Sequence, residues 1–180
     1  MVDSLLSALY LGQFIINAAN SAIAPFFPQR AIQYGISITF VGLIFSVHPV
    51  GNFITTLILG KYLSKGENRK PATIVGTFLT GIGILGFAFV FLIEDRFLFI
   101  TATLFSRLLL GIGNALFSTP AFAYIPMLYK STFEEKCAYM ESVVALGLMI
   151  GPLLGSILLE LFGYTCPFIF FALTCFLLVY

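Results

Sequence analysis

From Phe97 to Tyr129 the chain carries a single charged side chain, Arg107, in a run otherwise made mostly of apolar and small residues. A helix needs about 20 residues to cross the ~30 Å hydrocarbon core of a bilayer. A run this long and this poor in charge has no face to present to water, so it predicts a membrane span, tilted or bent at Pro120 or Pro126 because it exceeds the crossing length. The remaining sequence has the same character. Hydrophobic residues make up 59% and charged residues 9%, whereas a soluble domain carries about 25% charged residues to cover its surface. The apolar stretches are long and unbroken and lack the short alternation of barrel strands. The fold class expected is an all-α membrane protein.

Six spans are expected, at about 5–25, 40–63, 72–93, 97–129, 137–162 and 167–180, forming one transmembrane bundle over residues 1–180. Pro25-Phe26-Phe27-Pro28 closes the first. The third holds Gly76, Gly81, Gly83 and Gly86 and must pack closely against a neighbour. The last has 14 residues, short of a crossing, and reads as a sixth helix cut inside its length. Lys61, Lys65, Arg69, Lys70, Lys130 and Lys136 flank one set of loops, against Arg30 and Arg96 on the other. That imbalance places the N-terminus in the cytosol. The start lacks a basic n-region and a cleavage site, so the first run stays as a span.

Several function classes drop out. A net charge of +1 gives no reason to expect nucleic-acid binding. Cys137, Cys166 and Cys175 show no metal-type spacing, and the chain has one His, so neither a metal nor a cofactor is expected. No paired carboxylates, His cluster or nucleophile–base arrangement supports an enzyme.

What stands out is a set of polar residues at membrane depth. Gln13, Asn17 and Asn20 lie on one face of the first span, His48, Asn52 and Thr55 on one face of the second, and Thr103, Arg107, Gly111, Asn114 and Ser118 on one face of the fourth. At about 1.5 Å per residue, Asn17, His48 and Arg107 come out near mid-bilayer. Buried polar groups are expensive in lipid, so three stripes meeting at one depth suggest a central hydrophilic cavity. The plainer reading is interhelical hydrogen-bond glue, worth ~0.6–2 kcal/mol per contact. It suits the Asn residues as well as a cavity does, and it suits His48 slightly better, since Pro49 loosens the backbone there. Arg107 favours the cavity, because a guanidinium at mid-membrane needs an anion, water or several carbonyls. Glu141, taken alone, reads as an interfacial acid paired with Lys136.

Two motifs carry a family resemblance. Arg107-Leu-Leu-Leu-Gly111-Ile-Gly113 resembles the fourth-helix Arg-xxx-Gly-x-Gly motif of the major facilitator superfamily. Gly147-Leu-Met-Ile-Gly151-Pro152-Leu-Leu-Gly155 resembles its fifth-helix antiporter motif. The segment Gly60 to Lys70, with Lys65 and Arg69, lies where the family's loop motif falls, but Ser64 stands in place of its Asp and Glu67 in place of its second Gly. Pro25-Phe-Phe-Pro28, Val41-Gly-Leu-Ile-Phe45, Glu141 and Phe162-Gly-Tyr-Thr-Cys-Pro-Phe168 are most similar to the vesicular amine transporter family, its polyamine-transporter-like branch above all. Where monoamine transporters of that family carry an Asp–Asn pair, this chain has Ile16 and Asn17, which argues against a monoamine.

The resemblance implies the N-terminal half of a twelve-helix fold, built from two inverted three-helix repeats. It implies proton-coupled antiport of an organic cation or polyamine by alternating access, with the C-terminal half as the missing partner. Gln13, Asn17, Asn20, His48, Asn52, Arg107 and Asn114 would then line the solute cavity, while Glu141 and Arg107 would serve the proton or the gate. The membrane would be the plasma membrane or that of an acidic vesicle. The alternative is a half-length structural or assembly subunit that no longer transports.

Overall fold

The computed structural model describes residues 2–63 and 68–178. It contains α1 (Val2–Ala22), α2 (Phe27–Gln33), α3 (Ile38–Tyr62), α4 (Arg69–Val90), α5 (Arg96–Leu128), α6 (Phe133–Phe162) and α7 (Thr165–Leu177). Six of these answer to the expected spans. The other, α2, was not foreseen. The Pro25–Pro28 break ends α1, and the chain then turns directly into a short helix with Pro28 in its first turn, where a missing N–H costs nothing.

The ends shift for local reasons. Helix α6 begins at Phe133 rather than near residue 137, because Glu134 and Glu135 occupy its first turn and acids are favourable at the positive end of a helix. Asp95 caps α5 by accepting from Leu98 N at 2.7 Å, and Ser37 caps α3 by accepting from Phe40 N at 3.3 Å. Prolines 49, 120, 126 and 152 all lie inside continuous helices, as neighbouring helices in a bilayer permit.

Among the described residues, α3, α4, α5 and α6 are long and apolar enough to cross a membrane. Helix α1 has 21 residues, and Gln13, Asn17 and Asn20 interrupt its apolar character. Helix α7 is apolar but short. Large hydrophobics such as Ile38, Phe97 and Phe105 stand on the outside, a surface suited to lipid and not to water.

The packing has an internal symmetry. Helix α1 packs on α6, α3 on α5, α4 on both α5 and α7, and α1 on α7. Exchanging α1 with α5, α3 with α6 and α4 with α7 turns the α1–α6 pair into α5–α3 and the α4–α5 pair into α7–α1, both of which are neighbours. Directions follow from the contacts. Gly147, Gly151 and Gly155 meet Phe14, Ala18 and Ala22 in the same order, so α1 and α6 run parallel, whereas Gly76 and Gly83 meet Gly113 and Leu110 in reverse order, so α4 and α5 are antiparallel. Two three-helix units of opposite orientation result, the inverted-repeat plan of many transporters.

Small residues make those seams. A methyl group at Gly147 would come to 2.6 Å of Phe14 O, and one at Gly76 to 2.7 Å of Gly113 O. Without side chains the backbones touch, and packing contacts drive helix association in lipid.

One end of the bundle is closed by aromatic rings. Phe27, fully buried, lies 5.8–5.9 Å from Phe45, Phe87 and Phe99. Tyr34 stacks on Phe99 at 4.3 Å and donates its hydroxyl to Ile93 O at 2.6 Å. The break after α1 therefore inserts a ring into a pocket shared by three spans. Phe27→Ala is expected to lower unfolding free energy by about 3–5 kcal/mol, read from detergent-solubilised unfolding; a change below about 1 kcal/mol would mean the ring is not a packing element.

Candidate solute-binding site

Helix α5 supplies the centre. Its residues Ser106, Arg107, Leu110, Gly111, Gly113 and Asn114 are all buried, because α5 is packed against α1, α3 and α4. Arg107 is 2% exposed. Its Nη1 donates to Asn20 Oδ1 of α1 at 3.1 Å. Its guanidinium carbon lies 4.0 Å from the Phe45 ring centroid and 5.3 Å from that of Phe87. Its Nε and Nη2 are buried without a hydrogen-bond partner among the described residues. The only ion pair among those residues joins Lys136 to Glu135 at 3.5 Å, at a helix end. The Arg107 charge is therefore held by one amide oxygen and two ring faces, with no carboxylate beside it.

The other stripes converge on this point. A side chain at Gly12 of α1 would strike the Phe117 ring, and Asn20 meets Arg107. Helices α1 and α5 are thus antiparallel, and Gln13 and Asn17 lie at the level of Asn114 and Leu110. Asn17 Nδ2 donates to Gln13 O at 2.8 Å and to Gln13 Oε1 at 3.1 Å, while Gln13 Nε2 stays unpartnered among the described residues. On α3, the backbones of His48 and Asn52 press against Gly111, one turn beyond Arg107. Asn52 Oδ1 accepts from Thr56 Oγ1 at 3.2 Å. Asn114 is 9% exposed, and its carbonyl accepts from Ser118 Oγ at 2.8 Å.

The glue reading is met at one place only among these side chains, the Asn20–Arg107 bond between α1 and α5. Asn17 and Asn52 bond within their own helices. His48, read as a backbone partner near Pro49, has its Nε2 buried and unpartnered among the described residues.

Other expected residues fall elsewhere. Gly147, Gly151 and Gly155 form the α1–α6 seam, with Ser21 Oγ donating to Gly147 O at 3.4 Å, and they do not reach Arg107. Pro152 is half-buried beside them. Glu141 is exposed on α6 and makes no ion pair with Lys136, whose partner is Glu135. Its physical reason is register: Met140, one position earlier, takes the buried face. Of the loop motif, Gly60 and Lys70 are exposed, and Arg69 lies 5.9 Å from the Tyr124 ring. Lys65 lies outside the described residues.

Sequence reasoning missed Phe45 and Phe87 as partners of Arg107. In a chain with 21 Phe, nothing in spacing marks two of them as cation-holding rings. The signal was indirect, since a buried guanidinium without an acid must find ring faces or carbonyls.

Comparison with known proteins bears on the whole arrangement. The family model described as Major Facilitator Superfamily matches residues 9–180. The MFS-type transporter SLC18B1 of Mus musculus is 30% identical over 150 residues, covering 83% of this chain and 32% of its own length. The Homo sapiens protein of the same name is 28% identical over 149 residues, 83% of this chain and 32% of its own. An uncharacterized MFS-type transporter of Methanocaldococcus jannaschii is 29% identical over 149 residues, 82% and 36%. The chain spans about a third of the length of these relatives.

Proposed function

Since the chain belongs to the Major Facilitator Superfamily, we propose that it forms one half of a proton-coupled antiporter moving a small organic cation or polyamine by alternating access. The observation that carries this reading is the buried Arg107, with unpartnered donors, at the meeting of polar faces from α1, α3 and α5. A charge so placed costs stability and is retained where a pathway needs it. Each relative reported above bears the name of a transporter.

The roles divide by chemistry. Gln13, Asn17, Asn20, Asn52 and Asn114 offer amide oxygens to ammonium hydrogens, and Phe45 offers a ring face. Arg107 repels a cation placed directly on it, so it sets the limit of the site and releases Asn20 or Phe45 when the cargo takes them. The acid that a cationic cargo needs comes from the second half of the transporter. Glu141, exposed near the start of α6, is the proton-linked or gating carboxylate on this half. The glycines of α6 let that helix stay packed on α1 while the halves rock. Six bases against two put the N-terminus in the cytosol, in the plasma membrane or an acidic vesicle.

The test is counterflow uptake of labelled spermidine into acid-inside proteoliposomes holding the complete protein. Uptake that collapses with a protonophore, and falls at least about tenfold in Glu141→Gln (~1.4 kcal/mol,), is expected. Uptake indifferent to the pH gradient would overturn proton coupling, and no uptake of any polyamine would overturn the cargo class.

A further inference from the structure

Near the aromatic-closed end, a cleft of about 420 Å³ opens between α2, the C-terminal ends of α4 and α6, and the start of α7. Phe26, Arg30, Phe91, Leu92, Leu159 and Tyr164 are among its walls. The transport reading makes no use of it. Arg30 makes no ion pair among the described residues. Its Nη1 donates to Gln33 Oε1 at 2.8 Å, and its guanidinium carbon lies 5.4 Å from the Tyr34 ring and 6.0 Å from that of Phe91. On two of the lining residues, Arg30 Nε and the Tyr164 hydroxyl are buried without a hydrogen-bond partner among the described residues. The Tyr164 ring is fixed, with its centroid 3.5 Å from that of Phe91 and 5.1 Å from that of Phe168. Burial pushes the Tyr164 phenol pKa up, with Arg30 pulling it the other way, so the group keeps its proton and remains a donor.

An unmet donor inside a protein is costly, and two of them, one on a guanidinium with no ion pair among the described residues, ask for a single anionic acceptor. Among the described residues, no acid lines the cleft. The cleft lies at the ends of the span-length helices α4 and α6, the level at which a helix of crossing length meets the membrane interface, and Leu92 and Leu159 supply apolar wall beside the cation. Phosphate groups of lipids sit at that depth, with their chains on the apolar side. We propose that this cleft binds the phosphate of a membrane phospholipid, Arg30 and Tyr164 donating to its oxygens and Leu92 and Leu159 bordering the first part of its chains. Both donors are closed to solvent in this structure, so side chains lining the cleft must turn for the phosphate oxygens to reach them. The bound lipid would tie α2 to the ends of α4, α6 and α7.

The experiment is thermal unfolding of the complete protein in detergent, titrated with dioleoyl phosphatidylglycerol, with diacylglycerol, or with inorganic phosphate. Phosphatidylglycerol is expected to raise the midpoint of the wild type by several degrees, and diacylglycerol to leave it unmoved. The rise should halve or more in Tyr164→Phe and Arg30→Gln, persist in part in Arg30→Lys, and stay whole in Arg96→Gln, which alters the other base at that end. If Arg30→Gln does not fold, Tyr164→Phe and Arg30→Lys decide. An equal rise in Tyr164→Phe and wild type would overturn the assignment. So would a rise of the same size with inorganic phosphate, which would make the cleft a site for a free anion instead.

Discussion

Arg107→Met is expected to abolish uptake while leaving the fold as stable as before or more so. The guanidinium has five N–H donors. The structure gives it one hydrogen bond, to Asn20, and leaves Nε and Nη2 without partners among the described residues. Its desolvation is therefore poorly offset by hydrogen bonding, and the faces of Phe45 and Phe87 recover only about 2 kcal/mol of it. Replacing a buried ion pair by apolar side chains of similar volume is often neutral or stabilising by about 1–4 kcal/mol, and a buried charge with no ionic partner has less attraction to lose. Methionine fits because it is long, unbranched and adaptable. Uptake should fall by at least about tenfold, since an essential charge is gone (~1.4 kcal/mol,). The checks are detergent unfolding and counterflow on the same preparation. If the variant unfolds earlier and loses uptake in proportion, Arg107 is a structural strut. A companion cycle with Asn20→Ala should give a coupling of about 0.5–3 kcal/mol in uptake, as expected for side chains in direct contact.

Gly151→Val is expected to produce the opposite pattern, loss of the fold itself. A Cβ at Gly151 runs into Ala18 O and Ser21 Oγ of α1. The carbonyl belongs to helix backbone and cannot turn aside, so α1 and α6 must separate. Overpacking of a core costs about 1–3 kcal/mol and sometimes more; here it also opens a seam that depends on backbone contact in lipid. The variant should be poorly recovered after solubilisation and unfold well below the wild type. Gly42→Val is a suitable control, because nothing lies within 4 Å of a Cβ there. If both variants behave alike, the α1–α6 seam is not what the glycines are for.

These cases show what could be read in the sequence. Membrane helices were legible because the bilayer imposes a length and an apolarity, and α3 to α6 obey both. The polar stripes were legible because helical period puts Gln13, Asn17 and Asn20 on one face. Counting residues puts Asn17, His48 and Arg107 at one depth, whereas Arg107 bonds Asn20, further along the same face of α1. What stayed hidden depended on three-dimensional neighbours. Period places Phe45 and Phe87 on helices but does not say that both rings face one guanidinium. Proline chemistry ended α1 but left open that the next residues would form α2 and bury Phe27 among rings from three spans. Spacing alone put Lys136 within reach of Glu141, yet Lys136 pairs with Glu135 and lies 5.9 Å from the Tyr129 ring and 5.5 Å from that of Tyr139. A base near several partners is sorted by packing, which sequence distance does not record.

The central claim is that α1, α3 and α5 turn a shared polar face toward a solute path. Cysteine accessibility tests it most directly. In the complete protein, with Cys137, Cys166 and Cys175 replaced by serine or alanine, single cysteines are placed at Asn20, Asn52 and Asn114, and at Phe105 on the opposite face of α5, 62% exposed. A membrane-impermeant thiol reagent should label the first three at rates slowed by added spermidine, and leave the fourth unlabelled in the bilayer. Labelling of the position 105 cysteine alone, or of all four alike and without protection, would contradict the account.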